Sequence, residues 1–201
     1  MSEELKLVVG LGNPGPEHAR DRHNAGYWFV DELARRHGGH FRAERRLHGD
    51  SCQLTIDGQA LRLLKPTTFM NHSGRSVRAA LDYYRIQPAG MLVVHDDLDL
   101  PAGVARFKRG GGHGGNNGLR DVIAHCGADF LRLRIGIGHP GHKSKVTQHV
   151  LRPPRPEELP AIENALDEAQ RAFEILLRDG LERATTALHT ATPRPGNDSA
   201  G

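Results

Sequence analysis

A chain of 201 residues, 37% hydrophobic and 25% charged, suits one globular domain and has no apolar run long enough for a membrane-spanning helix. A net charge of +3 permits a phosphate-rich partner without requiring one. Two cysteines, Cys52 and Cys126, exclude a disulfide framework, and an N-terminus without a signal-peptide pattern predicts a cytoplasmic protein.

Residues 5–10 read as a short buried strand. The following Gly10-Leu-Gly12-Asn-Pro-Gly15 matches a dinucleotide-binding pattern. That motif needs a helix opening at its second glycine, and Pro14, Gly15 and Pro16 cannot propagate one, so the segment is a turn. A helix over 25–37 then turns Trp28, Phe29, Val30 and Leu33 inward. Extended runs follow at 41–47, 51–56 and 60–64, the last two joined by Asp57-Gly58, a hairpin signal. Pro66 stops the third run, and Ser73 is placed to cap a helix that carries Val77, Ala80, Leu81 and Tyr84.

A strand over 91–95 ends in His95-Asp96-Asp97-Leu98-Asp99, and another over 104–109 leads into residues 110–118. Six of those nine residues are glycine, a composition found where backbone takes positive φ or approaches something closely. A linker would be longer and rich in serine. With Asn116 or Asn117 as N-cap of a helix over 118–126, the loop is a generic anion cradle. A strand over 131–137, a turn at 139–141 and a short helix over 146–151 come next. A long amphipathic helix over 156–178 buries Ile162, Ala165, Leu166, Ala169, Phe173 and Leu176. A last helix reaches about His189, and residues 191–201 have the composition of a disordered tail. Strands interleaved with helices predict an α/β fold. It is a single domain over residues 1–190, with a twisted, mixed, mostly parallel β-sheet flanked by helices.

Polar residues collect at strand exits: Asn13, His23-Asn24, Asn71 and Asp96. Strand C-termini of α/β sheets are where ligands bind. A histidine acting as a base near neutral pH needs a carboxylate on its far ring nitrogen, and Asp96 or Asp97 could serve His23 so. Asparagine amides donate N–H without charge, which suits a carbonyl or a peptide amide. Thirteen histidines raise the question of a metal, but no paired Cys/His or HExxH spacing occurs; nor does a GxSxG elbow. Arg106 and Lys108, and Arg132 and Arg134, alternate at strand spacing and so share faces.

The stretches VVGLGNPGPE (8–17), RHNAG (22–26), PTTFMNHSG (66–74), HDDLDLPAG (95–103), FKRGGGHGGNNGLRD (107–121) and RLRIGIGHPG (132–141) lie in the order found in bacterial peptidyl-tRNA hydrolases. By these motifs the chain resembles that family from Val8 to about Leu188. The resemblance implies a monomeric, cofactor-free and metal-independent enzyme that cleaves the ester between a peptide and the terminal ribose of tRNA. His23 is then the base that activates water, and Asp96 orients it. Asn13 recognises the peptide amide. Phe69, Met70, Asn71 and Asn117 contact the substrate, as does position 18, where His18 stands in place of the usual Tyr. Arg106, Lys108, Arg134 and Lys143 form the tRNA-binding face, with Arg106 where Lys is frequent. The glycine loop becomes a wall without side chains that presents Asn117. Asp21 replaces a common Thr and Asn116 a frequent His, and the loop before Leu131 is about two residues shorter than in some relatives. A non-hydrolytic RNA-binding protein is the alternative class; it has no reason to keep His23, Asp96 and Asn13 together. A small-molecule ester or amide hydrolase is a third class, disfavoured by the basic face.

Overall fold

The computed structural model describes residues 4–195. Its strands are β1 (Leu7–Gly10), β2 (Arg42–Glu44), β3 (Gly49–Ile56), β4 (Gln59–Pro66), β5 (Met91–Asp97), β6 (Ala105–Arg109) and β7 (Leu131–Gly136). They form one sheet in the order β2-β3-β4-β1-β5-β7-β6. The pairs β4–β1, β1–β5 and β5–β7 are parallel; β2–β3, β3–β4 and β7–β6 are antiparallel. The expected mixed sheet is thus parallel at its centre and antiparallel toward both edges.

The helices are α1 (Ala25–Arg36), α2 (Ser73–Tyr84), α3 (Asn117–Cys126), α4 (Val146–Val150), α5 (Leu159–Asp179) and α6 (Leu181–Ala191). Alternation along the strands divides the core in two. Val8, Leu92 and Val94 pack with Phe29 of α1, Phe173 of α5 and Leu188 of α6. Leu7, Val9, Met91 and Val93 pack with Val77 and Leu81 of α2 and Leu119 and Val122 of α3. Covered on both sides, β1 and β5 are buried from end to end, which is why they read as apolar runs. The hairpin at Asp57-Gly58 forms as its sequence predicts, with φ of 50° and 78° at the two turn residues.

Several boundaries differ from expectation. The run at 41–47 gives only the short β2 before a 3-10 turn at Arg45–Leu47. Ser73 is the first helical residue of α2 rather than its cap, and its hydroxyl donates to the Met70 carbonyl at 2.6 Å. Trp28 is half-buried, its indole N–H donating to the Ala19 carbonyl at 2.9 Å. The long helix begins at Leu159, not Pro156, because Glu158 closes a turn on the Arg155 N–H at 3.1 Å. Ala191 closes α6, and Thr192 is buried, its hydroxyl donating to the Ala105 carbonyl at 3.1 Å; residues 196–201 of the expected tail lie outside the described residues. Among the described residues no helix is long and apolar enough to cross a membrane.

Candidate active site

Parity along β5 places the carboxylates. Asp96 shares the face of Leu92 and Val94, the α1 side, whereas His95 and Asp97 share the α3 side. His23 lies in a 3-10 turn at Arg22–Asn24 that runs directly into α1. The start of α1 touches the sheet, since a Cβ on Gly26 would fall 2.4 Å from the Val94 carbonyl oxygen and 2.5 Å from the Leu11 nitrogen. Only glycine allows that approach, and it sets the histidine over the end of β5.

His23 Nδ1 lies 3.0 Å from Asp96 Oδ1 and 2.9 Å from Oδ2, and both side chains are buried. With the carboxylate as acceptor, Nδ1 carries the proton and Nε2 keeps its lone pair. Burial by itself would lower the His23 pKa; the Asp96 charge and hydrogen bond, with a smaller contribution from Asp21, outweigh it and hold the imidazole above its ordinary value. Of the two sequence candidates for its partner, the structure brings Asp96 and not Asp97. Asp97 instead accepts from Arg134 Nε at 2.7 Å. The neighbouring His95 is kept neutral by complete burial, and its Nδ1–H donates to the Asp96 carbonyl at 2.9 Å.

Asn13 is fixed from three sides. Its Oδ1 accepts from the Met70 N–H at 2.7 Å, its own N–H donates to Asn24 Oδ1 at 2.9 Å, and its carbonyl accepts from Asn24 Nδ2 at 3.0 Å. The Met70 contact defines which end of the amide is oxygen, so Nδ2 is the free donor. His23, Asn13 and Asp96 line a cavity of about 390 Å³ with His18, Phe69, Met70, Asn71 and Asn117. They come from the C-terminal ends of β4, β1 and β5, where the connections out of β1 and β5 lead to opposite edges of the sheet, and from the first residue of α3. Asn71 and Asn117 are exposed, and their amides make no hydrogen bond within the described residues. Among the described residues no three His, Cys, Asp or Glu side chains gather as a metal site.

The two unusual residues near His23 meet each other: His18 Nδ1 lies 2.8 Å from Asp21 Oδ2. The next residue, Arg22, reaches away from the cavity to Glu158 Oε1 at 2.8 Å and to the His149 carbonyl at 2.9 Å. Burial opposes ionisation of Glu158, yet hydrogen bonds from Arg22 and Arg155 bring its pKa down to about 2. This ion pair ties the His23 turn to the segment after α4, whose Val146, Thr147 and Val150 close the cavity.

The basic pairs do share a face, with Arg106 opposite Arg134 and Lys108 opposite Arg132. Like charges placed so repel, and among the described residues only Arg134 of the four meets a carboxylate, that of Asp97. Arg106 is 9% exposed and donates to the Thr192 carbonyl and hydroxyl at 2.7 Å, which holds its guanidinium within the fold. Arg132 is buried and donates to the carbonyls of Gly111, Gly112 and Ala128, bracing the glycine loop. Lys108 and Lys143 are exposed, and Arg134 is partly so. Sequence reasoning names Asn116 among the polar residues of the glycine loop without giving it a role in the chemistry. It is the N-cap of α3, but its Nδ2 additionally donates to Asp96, a contact no local pattern announces.

A family model described as peptidyl-tRNA hydrolase matches residues 7–195. The peptidyl-tRNA hydrolase of Vibrio vulnificus (strain YJ016) is 52% identical over 192 residues, covering 94% of this chain and 98% of the relative. That of Alteromonas mediterranea is 53% identical over 189 residues, covering 93% and 97%. The crystal structure of peptidyl-tRNA hydrolase from Acinetobacter baumannii matches with a TM-score of 0.91 at 43% identity, covering 96% of this chain and 98% of that one.

Proposed function

This chain belongs to the peptidyl-tRNA hydrolase family, and from that premise we propose how its cavity hydrolyses the ester between a peptide and the terminal ribose of tRNA. The observation that carries the proposal is the buried His23–Asp96 pair with Nε2 left unpaired at the cavity wall. His23 Nε2 takes a proton from water, and the hydroxide attacks the ester carbonyl. The free amides of Asn71 and Asn117 donate to the developing oxyanion, and preorganised donors are worth most in such a partly enclosed place. As the tetrahedral intermediate collapses, the bond to the ribose oxygen breaks and His23 returns its proton to that oxygen. The peptide leaves with a free carboxyl group and the tRNA with a free hydroxyl, ready for reuse in translation.

Asn13 supplies selectivity. Its Nδ2 is a neutral donor suited to the carbonyl of a peptide bond, which a free aminoacyl-tRNA lacks. Asn13→Ala should cut the preference for N-acetyl-aminoacyl-tRNA over aminoacyl-tRNA, as the ratio of their kcat/KM values, by about tenfold or more. An unchanged ratio would remove this role. His18, with its ring held by Asp21, Phe69, which is 64% exposed, and Met70 complete the wall against the acylated end.

Lys108, Arg134 and Lys143 bind tRNA phosphates and so position a large substrate without reading its sequence. Lys108→Glu is expected to weaken tRNA binding and to flatten the plot of log Kd against log salt by about one unit; a slope equal to that of the parent would argue against a phosphate contact there. The resemblance to the family supports a monomer as the acting unit. A substrate that arises in translation supports a cytoplasmic site, and one folded unit spanning the cavity supports a single catalytic domain.

A further inference from the structure

Asp96 is almost completely buried, and its acceptors are divided among three neighbours. The carboxylate receives His23 Nδ1 and, at Oδ1, the Asn116 Nδ2 amide at 3.1 Å. The backbone carbonyl of the same residue receives Asn116 Nδ2 at 3.1 Å and His95 Nδ1 at 2.9 Å. Asn116 therefore grips Asp96 at both its side chain and its main chain. Its other end, Oδ1, accepts the Leu119 N–H at 3.0 Å and caps α3. The residue is 8% exposed, and its N–H donates to the His113 carbonyl at 3.0 Å, so it also closes the glycine loop.

We propose that Asn116 is a positioning residue for the hydrolysis, acting through Asp96 to hold the His23 imidazole in register with Asn117 on the opposite wall. The proposal rests on His23 and Asp96 being the catalytic pair. A carboxylate with one partner can rotate about its last side-chain bond, and rotation would carry the His23 ring with it. The uncharged Asn116 donor blocks that rotation without adding a positive charge that would compete with His23 for Asp96. Because the same side chain caps α3, the first residue of that helix, Asn117, is held at a fixed offset from Asp96. One amide thus ties the base to the oxyanion donor. Reacting groups need placement to within a fraction of an ångström, so the loss should appear in the chemical step.

Two variants separate this role from helix capping. Serine is a good N-cap but too short to reach Asp96, so Asn116→Ser should keep the thermal midpoint near that of the parent. Its kcat on N-acetyl-aminoacyl-tRNA should fall about tenfold with KM changed less than twofold. The His23 Nδ1 proton, followed by NMR in the same variant, should exchange faster and move upfield. Asn116→Asp keeps the cap oxygen but sets a carboxyl against Asp96, and its kcat should fall at least as far. A kcat within twofold of the parent in both variants, or an unmoved His23 proton in Asn116→Ser, overturns the proposal. His23→Ala assayed alongside distinguishes the two levels: turnover retained there sinks the catalytic pair itself. Turnover lost there but kept in both Asn116 variants sinks only the positioning role.

Discussion

Replacing His23 by alanine is expected to reduce kcat for N-acetyl-aminoacyl-tRNA by about 10²–10⁴-fold, the contribution of a well-placed general base. The affinity for tRNA should change little, because the ring faces the ester cavity and the phosphate contacts lie with Lys108, Arg134 and Lys143. Measuring intact tRNA released in single-turnover conditions, together with Kd for deacylated tRNA, separates the two. Near-parent turnover would sink the assignment. The fold should survive, since His23 sits at a turn whose anchors are its neighbours: Arg22 to Glu158, and Asn24 to Asn13.

Asp96→Asn should be nearly as damaging and should also leave a signature in pH. The parent needs neutral His23, and Asp96 raises its pKa above 6.5. The acid limb of kcat/KM therefore lies above pH 6.5, with activity lost as pH falls through it. Removing the carboxylate charge leaves burial to dominate, so the limb should move to lower pH even as the plateau falls by about 10²-fold or more. An amide in place of the carboxylate also turns an N–H toward Nδ1 and favours the wrong tautomer. A limb that stays in place would mean that another group sets it. The stability linkage has the opposite sense. His23, with its folded pKa raised, contributes stability that is fully present below the unfolded value near 6.5 and is lost as pH rises through the folded value. The protein should thus be slightly more stable, and less active, on the acid side.

Much of this site can be found along the chain because its parts are local. The strand exits, the prolines that forbid a dinucleotide helix and the glycine loop before an asparagine cap are patterns of neighbouring residues, and each forms. The β3–β4 pairing is equally local, since the Asp57-Gly58 turn dictates its own hairpin, whereas the antiparallel β6–β7 edge joins strands with α3 between them. The basic positions show the limit. Alternation places Arg106 and Arg134 on one face, yet exposure depends on what packs there. Thr192, far along the chain, holds Arg106 inside the fold, while Arg134 stays partly exposed beside Asp97. Periodicity gives the side a residue faces, never the partner that meets it.

The composition and motifs by themselves determined an α/β domain, the turn after β1, the apolar faces of the helices and the family to which the chain belongs. The tertiary structure decided the rest. It chose Asp96 over Asp97 as the partner of His23, because strand parity points one carboxylate toward α1 and the other toward Arg134. It turned Asn116 from a helix cap into a brace on Asp96, and it made the two odd residues His18 and Asp21 into a pair. The first two decisions depend on distances between residues remote in sequence, and such distances exist only once the sheet order and the crossing of α1 over β1 and β5 are fixed.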